Sequence, residues 1–236
     1  MDQAARRQFL QVGLATSAAI LLAGCEGSGQ KATGLPGPSW PSESSRRASQ
    51  PRPAPPQAQP APTGLPQGVQ ARTEWTRSGP IAALADPMGR IGRITIHHDG
   101  MTPFYSVNKA DAARRLESIR NSHVQRGWAD IGYHYIIDPS GRVWQGRPIN
   151  LQGAHVKDEN PGNLGIMVMG NFDSQRPTPA ALNSLDQFVA MQMRQYRLSV
   201  RNIYTHQELR PTACPGRSLQ AYMTQTRAMS GRMARA

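Results

Sequence analysis

The chain has 236 residues, with 27 Lys and Arg against 15 Asp and Glu, a formal charge of +12. That length holds one or two domains, and two cysteines are too few for the disulfide framework that staples small secreted domains. The basic excess raises nucleic acid as a partner, but the arginines are scattered and no basic stripe follows a predicted helix, so no nucleic-acid partner is expected.

Residues 1–24 read as a targeting signal. Arg6 and Arg7 form a short basic region, and an uncharged, largely apolar stretch runs from Phe9 to Gly24. It is too short to span a bilayer comfortably. It ends in "LLAGC", which resembles a bacterial lipoprotein lipobox with Cys25 as the modified residue, while "RRQFLQ" resembles a twin-arginine export signal. An ordinary signal peptide or an uncut anchor is the alternative. Lipidation at Cys25 implies attachment to a membrane surface, because buried acyl methylenes hold the chain there and several chains hold far better than one. Glu26, rather than Asp, follows that cysteine. The resemblance then implies an exported cell-envelope lipoprotein, in the outer membrane and facing the periplasm if the cell has two membranes.

Residues 25–68 read as a linker rich in Pro, Ser, Gly, Ala and Gln, with "PRPAPPQAQPAP" at its centre. Such a segment buries too little apolar surface to offset its ordering entropy, and its prolines favour an extended tether. Residues 69–236 remain as one domain, long enough for a sizeable core.

Along that domain, "GRITIHHDG" reads as a strand ending in a turn, with Ile94 and Ile96 on one face and Thr95 and His97 on the other. A helix is predicted from about Asn108 to Arg126, because Ala112, Leu116, Ile119 and His123 recur at spacings of three and four and Gly127 stops the run. "YHYIIDPSGRVWQG" reads as a hairpin turning at Asp138–Gly141. "NLGIMVMGNF" reads as a more buried strand. A second helix begins at the cap candidate Thr178 with Pro179 behind it, and Leu182, Leu185, Phe188, Val189 and Met193 form its apolar face. A short strand near Ile203 leads into "THQELRPTACPG". Interleaved strands and helices predict an α/β fold, a single domain with a central mixed β-sheet flanked by helices.

With Cys25 lipidated, Cys214 has no disulfide partner in the chain, and it stands eight residues after His206 in a loop able to fold back. Metal ligation is one reason to keep such a thiol, although one His and one Cys at this spacing is a weak signal. A family resemblance adds to it. "ITIHHDG", "GWADIGYHYII", "GRVWQGRP", "GAHV", "NLGIMVMGNF" and "THQELRPTACPG" occur in this order, from about Ile91 to Leu219. Together they resemble the type 2 N-acetylmuramoyl-L-alanine amidases, a family that includes the peptidoglycan recognition proteins and a phage amidase.

The resemblance implies one zinc ion per domain, held by His97, His206 and Cys214. His98, next along the strand, is expected to point away from it. Two neutral imidazoles and a thiolate leave a fourth tetrahedral position for water, whose pKa zinc lowers from about 15.7 towards 7. The resemblance gives Tyr133 a catalytic role. A phenol near pKa 10 is a poor base, so the expected role is to orient water and stabilise the oxyanion. Thr212 occupies the position where the phage enzyme has lysine and catalytic recognition proteins have threonine; it offers a neutral hydroxyl instead of a cation. His123, Trp128 and His155 are weaker candidates for contact with substrate. His123 also fits a core histidine on its helix face, and Trp144 fits a structural strand residue. The implied activity is hydrolysis of the amide between the lactyl group of N-acetylmuramic acid and L-Ala of the stem peptide, in peptidoglycan or muropeptides. The alternatives are a non-catalytic peptidoglycan-binding lipoprotein and a purely structural envelope protein.

Overall fold

A computed structural model of the chain describes residues 64–235. The targeting signal, Cys25 and most of the proline-rich linker lie outside the described residues. Six strands form one mixed sheet: β1 (Val69–Gln70), β2 (Arg93–His98), β3 (Tyr135–Ile137), β4 (Val143–Gln145), β5 (Asn163–Val168) and β6 (Ile203–Thr205). Their order across the sheet is β1-β4-β3-β5-β2-β6. The β3–β4 pair is antiparallel and the other neighbours run parallel. Among the described residues four α-helices accompany the sheet: α1 (Lys109–Gln125), α2 (Pro179–Tyr196), the single-turn α3 (His206–Leu209) and α4 (Arg217–Arg227).

Local chemistry explains where these elements start and stop. The Asn108 side chain accepts from Ala110 N at 2.8 Å and opens α1. Thr178 Oγ1 accepts from Ala181 N at 3.1 Å and opens α2, with Pro179 in the first turn. Each cap satisfies a backbone donor that the helix leaves orphaned, an effect of about 1 kcal/mol. The hairpin turn is built on Asp138, whose buried carboxylate accepts from Ser140 N, Arg142 N, Arg142 Nε and Trp144 Nε1. Trp144 is thereby a core residue rather than part of a groove. Gly141 in that turn has φ 87°, and a Cβ there would lie 2.9 Å from Ala180 O.

The sheet separates two cores. On one face Ile94, Ile96, Leu164, Ile166 and Val168 pack with Leu185, Phe188 and Val189 of α2 and Leu219 and Met223 of α4. On the other, Ile136, Trp144 and Met167 pack with Ala112, Leu116 and Ile119 of α1. Strand side chains alternate between faces, so Thr95 and His97 lie on the α1 side. The candidate site opens there, at the carboxyl end of β2.

Candidate metal centre

His97 is fixed by the middle of the sheet. β2 pairs with β5 and β6, and His97 sits opposite Met167 with only 1% of its surface exposed. His206 follows β6 directly and begins α3. The chain then folds back, and Gln207 N donates to Cys214 O at 2.9 Å, closing the loop that carries the cysteine. His97, His206 and Cys214 thus meet, each offering one ligand atom, with these atoms within 4.8 Å of one another. His97 Nδ1 and Cys214 Sγ are 3.6 Å apart. The rings of His97 and His206 meet edge to face with centroids 4.8 Å apart.

The electrostatics keep both imidazoles neutral. Burial pushes the His97 pKa well below its ordinary value, helped by repulsion from His155 and His206. Burial likewise lowers His206 to about 4. Cys214 is pushed up to about 12 by burial, against the backbone hydrogen bond from His98. That bond, His98 N to Sγ at 3.4 Å, is the contact that would favour a thiolate. A metal ion that recruits this sulfur must displace its proton.

Two of the three ligand candidates, His206 and Cys214, line a cavity of about 280 Å³, together with Tyr133, His123, Trp128, Arg126, Met101 and Thr212. Tyr133 lies against His97 with ring centroids 5.1 Å apart. Burial, followed by the neighbouring Cys214 and Asp99, raises the Tyr133 pKa far above its ordinary value, so the phenol keeps a proton to donate. Thr212 is exposed at the rim, and its Oγ1 accepts from Cys214 N at 3.2 Å. A larger groove of about 610 Å³ lies between α2, α4 and the C-terminal residues. Its hydroxyls Tyr222 and Thr226 are both tied to Asp186, and it holds no such cluster of ligand groups.

The family model described as "N-acetylmuramoyl-L-alanine amidase" (Amidase_2) matches residues 87–217, which include every residue of the cluster and Tyr133. The chain belongs to the N-acetylmuramoyl-L-alanine amidase family. It is 33% identical to peptidoglycan-recognition protein SC1a of Drosophila melanogaster over 151 residues, covering 63% of this chain and 80% of that protein. The Drosophila recognition protein PGRP-LB superposes with a TM-score of 0.60 at 26% identity, over 66% of this chain and 92% of that one. Peptidoglycan recognition protein-LE, solved in complex with tracheal cytotoxin, a monomeric diaminopimelic acid-type peptidoglycan, gives the same TM-score and identity over the same shares.

Within this amidase-family cavity the other expected residues take distinct places. His123 and Trp128 form one wall, with ring centroids 4.5 Å apart. His123 Nδ1 accepts from Gly132 N at 3.0 Å, as a satisfied core histidine would, and the residue also lines the cavity. His155 is buried, yet it too borders the cavity. Its Nδ1 pairs with His97 Nε2 at 3.0 Å and its Nε2 with Asn163 O at 3.1 Å, which leaves no ring nitrogen for a substrate. His98 does turn to the opposite face, where its Nδ1 accepts from Phe172 N at 3.2 Å and its ring packs on Phe172. Yet it also borders the cavity, because β2 ends there and no longer screens it.

Two neighbours were not singled out from the sequence. Arg126, just beyond the end of α1, brings a cation to the rim. Asp99, the third residue of "HHDG", has an enclosed side chain, bonded to Arg115 at 2.8 Å and to Gly170 N at 3.1 Å. A charged residue inside a turn beside two histidines was the available signal for Asp99; nothing local distinguished Arg126 from the other arginines.

Proposed function

We propose that this protein is a zinc-dependent N-acetylmuramoyl-L-alanine amidase, cleaving the amide between the lactyl group of N-acetylmuramic acid and L-Ala of the stem peptide. The observation that carries the reading is the convergence of His97, His206 and Cys214 at one end of the cavity, beside a protonated Tyr133. The donor set fits the ion. Tetrahedral zinc with its usual bond lengths separates a nitrogen from a sulfur ligand by about 3.6 Å, and His97 Nδ1 lies 3.6 Å from Cys214 Sγ.

Zinc bound there would supply an electrophile and activate water near neutral pH. The chain's own residues do the rest. His97 and His206 bind as neutral imidazoles, and the His98 N–H supports charge on the Cys214 sulfur. Tyr133 offers its proton to the carbonyl oxygen of the scissile amide as negative charge develops. It holds that proton firmly, so it donates a hydrogen bond without becoming the base. Thr212 offers a neutral hydroxyl from the opposite rim. His123 and Trp128 wall the cavity, and Arg126 gives it a cationic edge suited to a carboxylate-bearing peptide.

The second reading is peptidoglycan binding without turnover, favoured by the structural likeness to a recognition protein solved with a muropeptide. Digestion of purified peptidoglycan separates the two: the amidase releases intact stem peptides from glycan, whereas a binder co-sediments with the polymer and releases none. The same proposal places the domain on an exported lipoprotein, supported by "LLAGC" ahead of a proline-rich tether. Cys25→Ser is then expected to abolish acylation and free the protein from membranes. Unchanged membrane association in that variant would remove the anchor from the proposal.

A further inference from the structure

We infer that His155 is a positioning residue that locks His97 in the tautomer with its hydrogen on Nε2, leaving the Nδ1 lone pair aimed at the metal position. The argument runs along one chain of hydrogen bonds. Asn163 O can only accept, so His155 Nε2, 3.1 Å away, carries the hydrogen. A neutral imidazole has one N–H, so His155 Nδ1 is an acceptor. His97 Nε2, 3.0 Å from that nitrogen, therefore donates. Nδ1 of His97 is left with its lone pair, on the side where Cys214 Sγ lies 3.6 Å away. A ligating histidine needs that arrangement, and the group that accepts from its other nitrogen sets ring orientation and basicity.

The surrounding sequence is shaped to hold this ring. A Cβ on Gly165, in the centre of β5, would lie 2.6 Å from His155 Cδ2, and one on Gly153 would lie 2.4 Å from the same atom. Glycine inside a strand weakens it unless something approaches closely, and the imidazole is what approaches. The backbone N–H groups of His155 and Val156 both donate to Asn160 Oδ1 at 2.9 Å, which fixes the loop. Asn163 is itself tied down, accepting from Thr95 Oγ1 and donating to Glu159 O, each at 2.8 Å. The path from strand carbonyl to His97 is therefore anchored at every step.

This inference rests on the zinc reading for its purpose but not for its chemistry, and the test keeps them apart. The first measurement is long-range ¹H–¹⁵N correlation on histidine-labelled protein held metal-free with a chelator. His97 and His155 should both appear as the Nε2–H tautomer. The second is zinc affinity by chelator competition. His155→Phe keeps the ring volume but removes the acceptor; the His97 tautomer should become mixed and zinc affinity fall by about 10- to 100-fold. His155→Asn places an amide oxygen near the former Nδ1 and should restore most of the affinity. An Nδ1–H tautomer for His97 in the metal-free protein overturns the inference, and that result is readable even if His155→Phe fails to fold. So does a folded His155→Phe protein with wild-type tautomer and wild-type zinc affinity, or one altered only in KM for muramyl peptides, which would make His155 a substrate contact. The predicted tautomer with no zinc uptake by the wild type would instead refute the metal reading and leave the lock standing.

Discussion

The two faces of β2 are about equally buried and chemically opposite. Ile94 and Ile96 are 0% exposed and belong to an apolar cluster with residues of α2, α4 and the flanking strands. One residue further along, Thr95 and His97 are as deeply enclosed, yet each is tied into a polar network through Asn163 and His155. Burial alone therefore does not mark a core residue. An enclosed polar side chain persists because partners satisfy it, and on this face the partners converge on an open cavity. The difference teaches that one six-residue strand both supports the domain and aims its chemistry, with alternation deciding which residue does which.

The comparison is broken most severely by Cys214→Ser. On the polar face this replaces a soft thiolate with a hard, neutral hydroxyl. Zinc content should fall from about one ion per chain to well below it, and amidase turnover by more than the roughly 100-fold that loss of a supporting hydrogen-bond partner costs. Elemental analysis and turnover are to be measured on the same samples. Metal-free wild-type protein with full turnover would remove the metal scheme.

Ile96→Ala attacks the other face. It deletes buried methylenes where the surroundings cannot collapse, which costs about 2–5 kcal/mol. Denaturant unfolding should show that loss, while the folded fraction keeps its zinc affinity, because Ile96 and His97 point to opposite sides. A large drop in zinc affinity without a drop in stability would show that the two faces are not separable.

Tyr133→Phe sharpens the polar side of the comparison by removing one donor and keeping the ring. If the hydroxyl stabilises the oxyanion, its contact strengthens in the transition state, and turnover should fall about 10- to 1000-fold at unchanged zinc content. Metal lost in step with activity would make Tyr133 a support of the site rather than a catalytic donor. Wild-type turnover would pass the donor role to Thr212.

Much of this architecture was legible in the sequence because periodicity and caps are local. Thr178 caps the helix start read from its side chain, the first helix begins after Asn108 as its periodicity indicated, and the parity of Ile94, Ile96 and His97 followed from strand alternation alone. The ligand set was legible through resemblance; spacing alone gave only His206 and Cys214, since His97 is more than a hundred residues away in the chain. The role of His155 was not legible, because it depends on Asn163 O and on space left at Gly153 and Gly165, all set by register between segments. Nothing in "GAH" itself separates a histidine facing substrate from one facing another histidine.

The smallest expected effect concerns pH and His134, whose ring lies 5.8 Å from that of His155. Its ring ties β5 to the segment at Leu151: Nδ1 accepts from Gly165 N at 3.0 Å and Nε2 lies 3.0 Å from Leu151 O, to which it donates. The Gly165 bond needs the neutral ring, since a protonated Nδ1 would turn an N–H towards the Gly165 N–H, whereas the bond to Leu151 survives protonation. Burial, with help from Arg147, lowers the His134 pKa to about 4, against the pull of the Leu151 carbonyl. The unfolded chain titrates near the ordinary value of 6.5, so between those limits it binds more protons than the folded one. Stability from this group is therefore full above pH 6.5 and lost progressively as pH falls towards 4. From pH 7.5 to 5 the expected loss is about 2 kcal/mol from His134 alone. Asparagine can keep an acceptor for Gly165 N and does not titrate. His134→Asn should thus be less stable at pH 7.5 but lose less between pH 7.5 and 5 than the wild type. Both should be measured by denaturant unfolding of chelated, metal-free protein, because metal release at acid pH would add its own slope. Equal pH dependence in the two proteins would mean that His134 does not stay neutral in the folded state, and the bridge between Gly165 and Leu151 would have to be redrawn.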